Sequence, residues 1–257
     1  ALVDVIISDN MMTGSFDQFL WQANVLSIAF IDFNNNQFTG QITNRLFDLP
    51  HLTTLSLSVN CFSGSLPDNI CANVAIEVLA MDGLGASPHC PDSYSVPFSR
   101  VRLFNTLEGS VPACLFALEH LNSLHLMGNG LTGSLSADLP LNSSLQRLVL
   151  SHNTLSGSIP VSIQQKSFSI LDLSYNKITG TYDKYDTKVN QSTLILEVNR
   201  LSGDVKSSAL APVSTLKILQ GNMFGCGHNP SNDEFYDEFS CGSSQLNNSM
   251  FMWEALV

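Results

Sequence analysis

Basic residues are scarce in this chain: 11 Lys and Arg stand against 22 Asp and Glu, for a net charge of −11. Binding along nucleic-acid phosphates or on an anionic lipid surface needs clustered cations, so neither is a general mode for this protein. Charged residues of both signs make up only 13% of the sequence. Long apolar runs are missing as well. No stretch reaches the roughly 18 apolar residues that a membrane-spanning helix needs, and no basic-then-apolar secretory signal opens the chain. The first residues, "LVDVIISDNMMTG", begin inside a repeat, which reads as a mature or truncated chain.

Catalytic and metal patterns are missing too. The six cysteines, Cys61, Cys71, Cys90, Cys114, Cys226 and Cys241, form no C-x-x-C pair and stand near no histidine pair, so no zinc site is expected. His51, His89, His120 and His228 have no acidic companions in a catalytic spacing, and the serines sit in "LSGS" segments that many repeats share. The acidic stretch "SNDEFYDEFSC" at 231–241 lacks the alternating ligands of a calcium-binding EF-hand loop. The expectation is a protein that is not an enzyme and takes no cofactor or metal. N-x-S/T triplets mark Asn142, Asn190 and Asn247 as candidate N-glycosylation positions. Together with the cysteines they point to a secretory, oxidising compartment.

What the sequence does hold is repetition. With an asparagine as origin, apolar residues recur eight, five and three places before it and two and six places after it, with glycine four places after. "LTTLSLSVNCFSGSLP", "LNSLHLMGNGLTGSLS" and "LQRLVLSHNTLSGSIP" follow the pattern closely. The asparagines are Asn10, Asn36, Asn60, Asn105, Asn129, Asn153, Asn176, Asn199 and Asn222. A further, degenerate unit at 76–97 has Leu84 in the asparagine's place. The L-x-L segment alternates with period two and predicts a short strand with one face buried. Asparagine serves the backbone groups freed where that strand ends, and glycine permits the bend that follows. No single unit can bury its leucines, but stacked units can. With 44% hydrophobic residues, the chain has ample material for such a core.

These motifs resemble the leucine-rich repeat family in its plant-type 24-residue form, L-x-x-L-x-L-x-x-N-x-L-[ST]-G-x-I-P. The resemblance implies an α/β solenoid: a right-handed superhelix with a parallel sheet on its concave face and short helical or irregular segments on the convex side. It divides the chain into a solenoid of about ten repeats at 1–225, a cap at 226–241 and a tail at 242–257. By the same resemblance Cys226 pairs with Cys241 to close a C-terminal cap. The repeat phase places Cys90 at an inward position, within reach of either Cys71 or Cys114, and leaves Cys61 free.

Solenoids bind through the strand residues that point out of the concave face, here six, four and two places before each asparagine. Three of the five arginines, Arg100, Arg102 and Arg147, fall in these columns on central repeats, with Phe104, His125, Met127 and Asp172 beside them. Arginine forks suit carboxylate, sulfate or phosphate groups, so the columns read either as an anion-recognising patch or as ordinary exposed strand surface. The resemblance implies an extracellular or cell-surface recognition or adhesion module for a protein, peptide or glycan. It also admits a secreted inhibitor of a cell-wall-degrading glycosidase, like the polygalacturonase-inhibiting proteins, and a structural wall- or surface-binding protein.

Overall fold

A computed structural model of the chain describes residues 2–15, 25–87, 90, 94–95, 102–103, 107–183, 192–205, 210–227 and 229–241. The chain forms a parallel-sheet solenoid and divides into two compact units, Ala1–Leu131 with Asn142–Leu145, and Thr132–Leu141 with Gln146–Val257.

In the first unit the strands Asp4–Ile6, Phe30–Asp32, Thr54–Ser56, Val78–Ala80 and Ser123–His125 pair in parallel, in that order. In the second, Arg147–Val149, Ile170–Asp172, Thr193–Ile195 and Thr215–Lys217 do the same. Each strand covers the middle of an L-x-L segment. The central leucine or isoleucine is buried: Ile31, Leu55, Leu79, Leu124, Leu148, Leu171, Leu194 and Leu216. The residues on either side of it face out of the sheet, as the two-residue period requires. After the turn, a second set of short parallel strands continues the coils, such as Thr13–Ser15, Gln37–Gly40 and Cys61–Phe62 in the first unit. Thr179–Gly180, Arg200–Gly203 and Met223–Phe224 are their counterparts in the second. Short helical turns complete the return path, among them Asn44–Asp48, Ala113–Ala117 and Val161–Gln165.

The repeat asparagines form a ladder. Asn176 Nδ2 lies 3.1 Å from its own coil's Leu173 carbonyl and 3.0 Å from that of Leu150 one coil back, while its Oδ1 accepts from Leu155 N at 3.0 Å. Asn60 and Asn222 repeat the arrangement. All three are wholly buried, a place where an unbonded amide would be costly and one bonded to several backbone groups is stable.

Residues 76–121 do not make two coils. The Val78–Ala80 strand pairs with Thr54–Ser56 on one edge and with Ser123–His125 on the other. Both edges are therefore occupied, and the parallel sheet has no place for a strand from the intervening repeat. Arg102–Leu103 pairs instead with Tyr94–Ser95, in antiparallel register. The path resumes at Leu107–Glu108, which joins Gly64–Ser65. The degenerate unit thus supplies the front of a coil and the short repeat after it supplies the back. Where Leu84 stands in the asparagine's place, backbone substitutes: Phe62 N donates to Leu84 O at 2.8 Å. Asn129 spans the gap, with Nδ2 2.7 Å from Met81 O and Oδ1 2.8 Å from Leu84 N.

Disulfides join Cys61 to Cys90, Cys71 to Cys114 and Cys226 to Cys241. The first two correct the expectation that Cys90 pairs with Cys71 or Cys114 and that Cys61 is free. The error came from treating 76–97 and 98–121 as successive coils. Once they share one coil, the turn after Asn60 lies beside Cys90, and the return segments bearing Cys71 and Cys114 become neighbours. Beyond the last sheet strand, Asp233 Oδ2 accepts from Ile218 N at 2.7 Å and Leu219 N at 3.2 Å. A carboxylate here meets backbone donors that no further sheet strand covers among the described residues.

Candidate functional site

Two rows of side chains stand out from the sheet of the first unit. Phe30, Thr54 and Val78 are half-buried in one, with Asp4 exposed at its end, and Asp32, Ser56, Ala80 and His125 are half-buried in the other. A third row follows where the strands end, and hydrogen bonds tie it together. Asn34 Nδ2 donates to Ser56 Oγ at 2.8 Å, Ser58 N donates to Asn34 Oδ1 at 2.6 Å, and Asp82 N donates to Ser58 Oγ at 3.0 Å. Asp82 is held further by Met127 N, 2.6 Å from its Oδ1, and by His125 Nδ1, 3.5 Å from its Oδ2.

One member of the expected arginine patch is placed elsewhere. Arg102 belongs to the antiparallel pair, outside the parallel sheet, which corrects its placement in an outward column. Arg100 and Phe104 lie outside the described residues, as do Asn190 and Asn247. Among the described residues the first unit's sheet face carries Asp4, Asp32 and Asp82 and no lysine or arginine. Its field is that of an acidic surface.

In the second unit Arg147 is exposed on the first strand, with Ile170, Thr193 and Thr215 in register beside it. Asp172 is fixed by Ser174, whose N and Oγ both donate to its Oδ1, at 3.0 and 2.6 Å. Lys217 Nζ lies 2.6 Å from Glu234 Oε2 on the cap, and hydrogen bonding to Glu234 holds the Lys217 amine above its usual range.

A further column escaped the alternation argument. The residue just before each asparagine should face inward by period two. In the structure it adopts the left-handed conformation instead: Asp9, Asn35, Val59, His152, Tyr175 and Val198 all have φ between 51° and 58°. The turn leaves Asp9, Asn35 and His152 exposed and Val59 and Tyr175 half-buried, while Val198 is buried. Glycine takes the same place at Gly83, Gly128 and Gly221, and at Gly221 a Cβ would come within 2.8 Å of Val198 Cα. That run of Gly, Asn and Asp at one repeat position was the available signal, because these residues tolerate positive φ. On two successive coils the column carries rings. His152 and Tyr175 stack with centroids 4.2 Å apart and planes at 9°, a spacing close to that of adjacent strands. Burial of the covered side of the ring lowers the His152 pKa, more than the nearby Asp172 raises it. Burial raises that of Tyr175, with Glu197 and Asp172 adding to the effect and Lys217 opposing it. Glu197 is raised as well, by burial first, against the pull of Lys217.

Asn142 is committed to structure. Its Nδ2 donates to Leu118 O at 2.8 Å and lies 3.4 Å from Leu121 O, while its Oδ1 accepts from Leu145 N at 2.7 Å. Asn73, which heads no glycosylation triplet, bonds Leu49 O, Leu52 O and Ala75 N in the same way.

The coils, the asparagine ladder and the outward rows define a repeat scaffold with ordered side chains along the outer face of its sheet. The Leucine Rich Repeat family model matches residues 51–73 and 144–165. The chain belongs to that family, in its plant-type form. It is 29% identical to Receptor-like protein 35 of Arabidopsis thaliana over 82% of its own length and 21% of that protein's. Its fold matches the leucine-rich repeat ectodomain of the plant membrane receptor kinase GASSHO1/SCHENGEN3 from Arabidopsis thaliana, solved in complex with CASPARIAN STRIP INTEGRITY FACTOR 2. That match has a TM-score of 0.67 and 32% identity over 85% of this chain and 24% of that one. The ectodomain of the Arabidopsis receptor kinase HAESA, solved in complex with an N-terminal extended IDA peptide hormone ligand, matches with a TM-score of 0.72. At 24% identity over 94% of this chain and 37% of that one, it bears on the fold alone. The chain spans less than a quarter of the length of Receptor-like protein 35.

Proposed function

We propose that this chain is a ligand-recognising segment of an extracellular or cell-surface receptor-like protein and binds a peptide, or an extended segment of a protein, along its sheet faces. The observation that carries the reading is the ordered outward rows. Strand register holds Phe30, Asp32, Val78 and Asp82 in one unit and Ile170, Asp172, Ile195 and Glu197 in the other, and none of them is buried in the core. Such mixed apolar and charged surface gives a partner both area and specificity. The solved GASSHO1/SCHENGEN3 ectodomain in complex with CASPARIAN STRIP INTEGRITY FACTOR 2 supports the choice of a peptide or protein over a glycan. Six cysteines joined in three bridges suit an oxidising compartment, in keeping with the receptor-like relatives.

The test is selection of a random peptide library against the chain secreted from eukaryotic cells, with Asp32→Ala/Asp82→Ala and Asp172→Ala/Glu197→Ala as counter-targets. Enriched peptides that lose at least about ten-fold in affinity for one of these variants support the reading. Peptides that bind all of them equally, or no enrichment at all, overturn it.

A further inference from the structure

We propose that the stacked His152–Tyr175 pair, with the Asp172 and Glu197 carboxylates beside it, is the seat of an arginine side chain of the ligand. This rests on the reading of the sheet as a ligand-binding surface and gives that ligand a required chemistry.

The rings are held before any ligand arrives. His152 and Tyr175 sit on adjacent coils at positive φ, 53° and 51°, each fixed by the asparagine that follows it in the ladder. This repeat position takes the left-handed conformation on coil after coil, and bulky residues are uncommon in it. The two rings stack face to face across two coils, 4.2 Å from centroid to centroid with planes at 9°, so that each covers one face of the other and leaves its outer face to form the ledge. His152 is exposed and Tyr175 half-buried, so the ledge faces solvent along part of its surface.

The charges around the ledge choose the sign of the guest. Asp172 acts on both rings and Glu197 acts on Tyr175. Among the described residues Lys217 acts on Tyr175 and Glu197 as a cation, and its amine is engaged by Glu234 at 2.6 Å. Asp233 adds a further negative charge on the Glu197 side. Arg147 stands five residues before His152, at the far end of its strand. Asp172 is already aimed by two bonds from Ser174, while Glu197 is a half-buried carboxylate whose ionised form burial disfavours. A cation placed between them restores what burial removes.

Among biological cations a guanidinium fits best. It is planar and weakly hydrated, stacks on aromatic faces, and presents a fork of donors to a carboxylate. An ammonium is a strongly hydrated point charge and gains less from a ring face. A carboxylate or sulfate on the ligand would meet Asp172 and Glu197 and be repelled. With its pKa lowered by burial, His152 is neutral at neutral pH and adds no opposing charge.

Peptides enriched from the library on the whole chain are resynthesised with each arginine changed to lysine or glutamine. Each is then titrated by calorimetry against wild type, Tyr175→Phe, Tyr175→Ala and Glu197→Gln. The expected result is an arginine whose change to glutamine costs about ten-fold or more, with lysine intermediate. The same loss should appear with Tyr175→Ala and with the isosteric Glu197→Gln, and should be absent with Tyr175→Phe, which keeps the ring. Peptides that bind through the sheet but tolerate arginine-to-glutamine changes, or that ignore both Tyr175→Ala and Glu197→Gln, overturn the arginine seat and leave the sheet-face reading standing. Peptides indifferent to every sheet-face substitution overturn both.

Discussion

Asn176 holds four backbone groups with one side chain: the carbonyls of Leu150, Leu173 and Ser174 and the amide of Leu155. Removing it to Ala leaves several of them buried without partners, each worth about 1 kcal/mol or more. Asn176→Ala should therefore cost about 3 kcal/mol in chemical denaturation. Asn10→Ala, which removes an exposed side chain bonded to Ile7 O and Ser8 O, should cost under about 1 kcal/mol, because water can replace it. Equal losses at the two sites would show that the ladder does not act as described. Single residues of this kind were legible in the sequence, since an asparagine recurring at one phase between apolar positions has few other uses. His152 and Tyr175 were not legible as a pair. Period-two counting sends them inward, and only the left-handed turn turns them out.

The coil is the element whose reading was most mixed. Strand positions followed the L-x-L segments closely because the alternation is set by burial alone. Coil count did not follow, because "FSRVRLFNTLEGSVP" carries every apolar mark of a repeat after its asparagine. No sequence motif reports that both edges of the Val78–Ala80 strand are already taken. The same misjudged coil produced the misjudged cysteines and put Arg102 into a column that it does not join. The bridges on this coil have a measurable role. Cys71–Cys114 closes a span of 43 residues, and a loop of that order restrains the unfolded chain by about 4 kcal/mol. The double variant Cys71→Ala/Cys114→Ala should lose roughly that much in denaturant unfolding, whereas a loss near zero would mean that the bridge is not formed in the secreted protein.

For the whole molecule, the scarcity of basic residues takes on a direction. With −11 net charge, and with Asp4, Asp32 and Asp82 on one unit's sheet and Asp172 and Glu197 on the other's, the long-range field draws cationic partners and repels anionic ones. Association with a basic peptide should slow about ten-fold between roughly 0.05 M and 0.5 M salt, as screening shortens the reach of these charges. Stopped-flow rates that rise with salt would contradict this. The net charge was plain from composition, but its bearing on the ligand was not. The expected arginine cluster points to an anion, whereas the described residues of the first unit's sheet face carry carboxylates and Arg102 lies outside the parallel sheet.

The ladder also runs one way along the chain. Amides at Phe38, Leu155, Ile178 and Leu201 are each closed by an asparagine 21 or 22 residues further on, and Leu84 waits 45 residues for Asn129. Translation delivers about 5–20 residues per second. A nascent coil therefore stands open for one to a few seconds at most junctions and for about twice as long at Leu84. That makes the Leu84 edge, clamped by disulfides on either side of it, the point where a chain still being made is most exposed to the wrong neighbour.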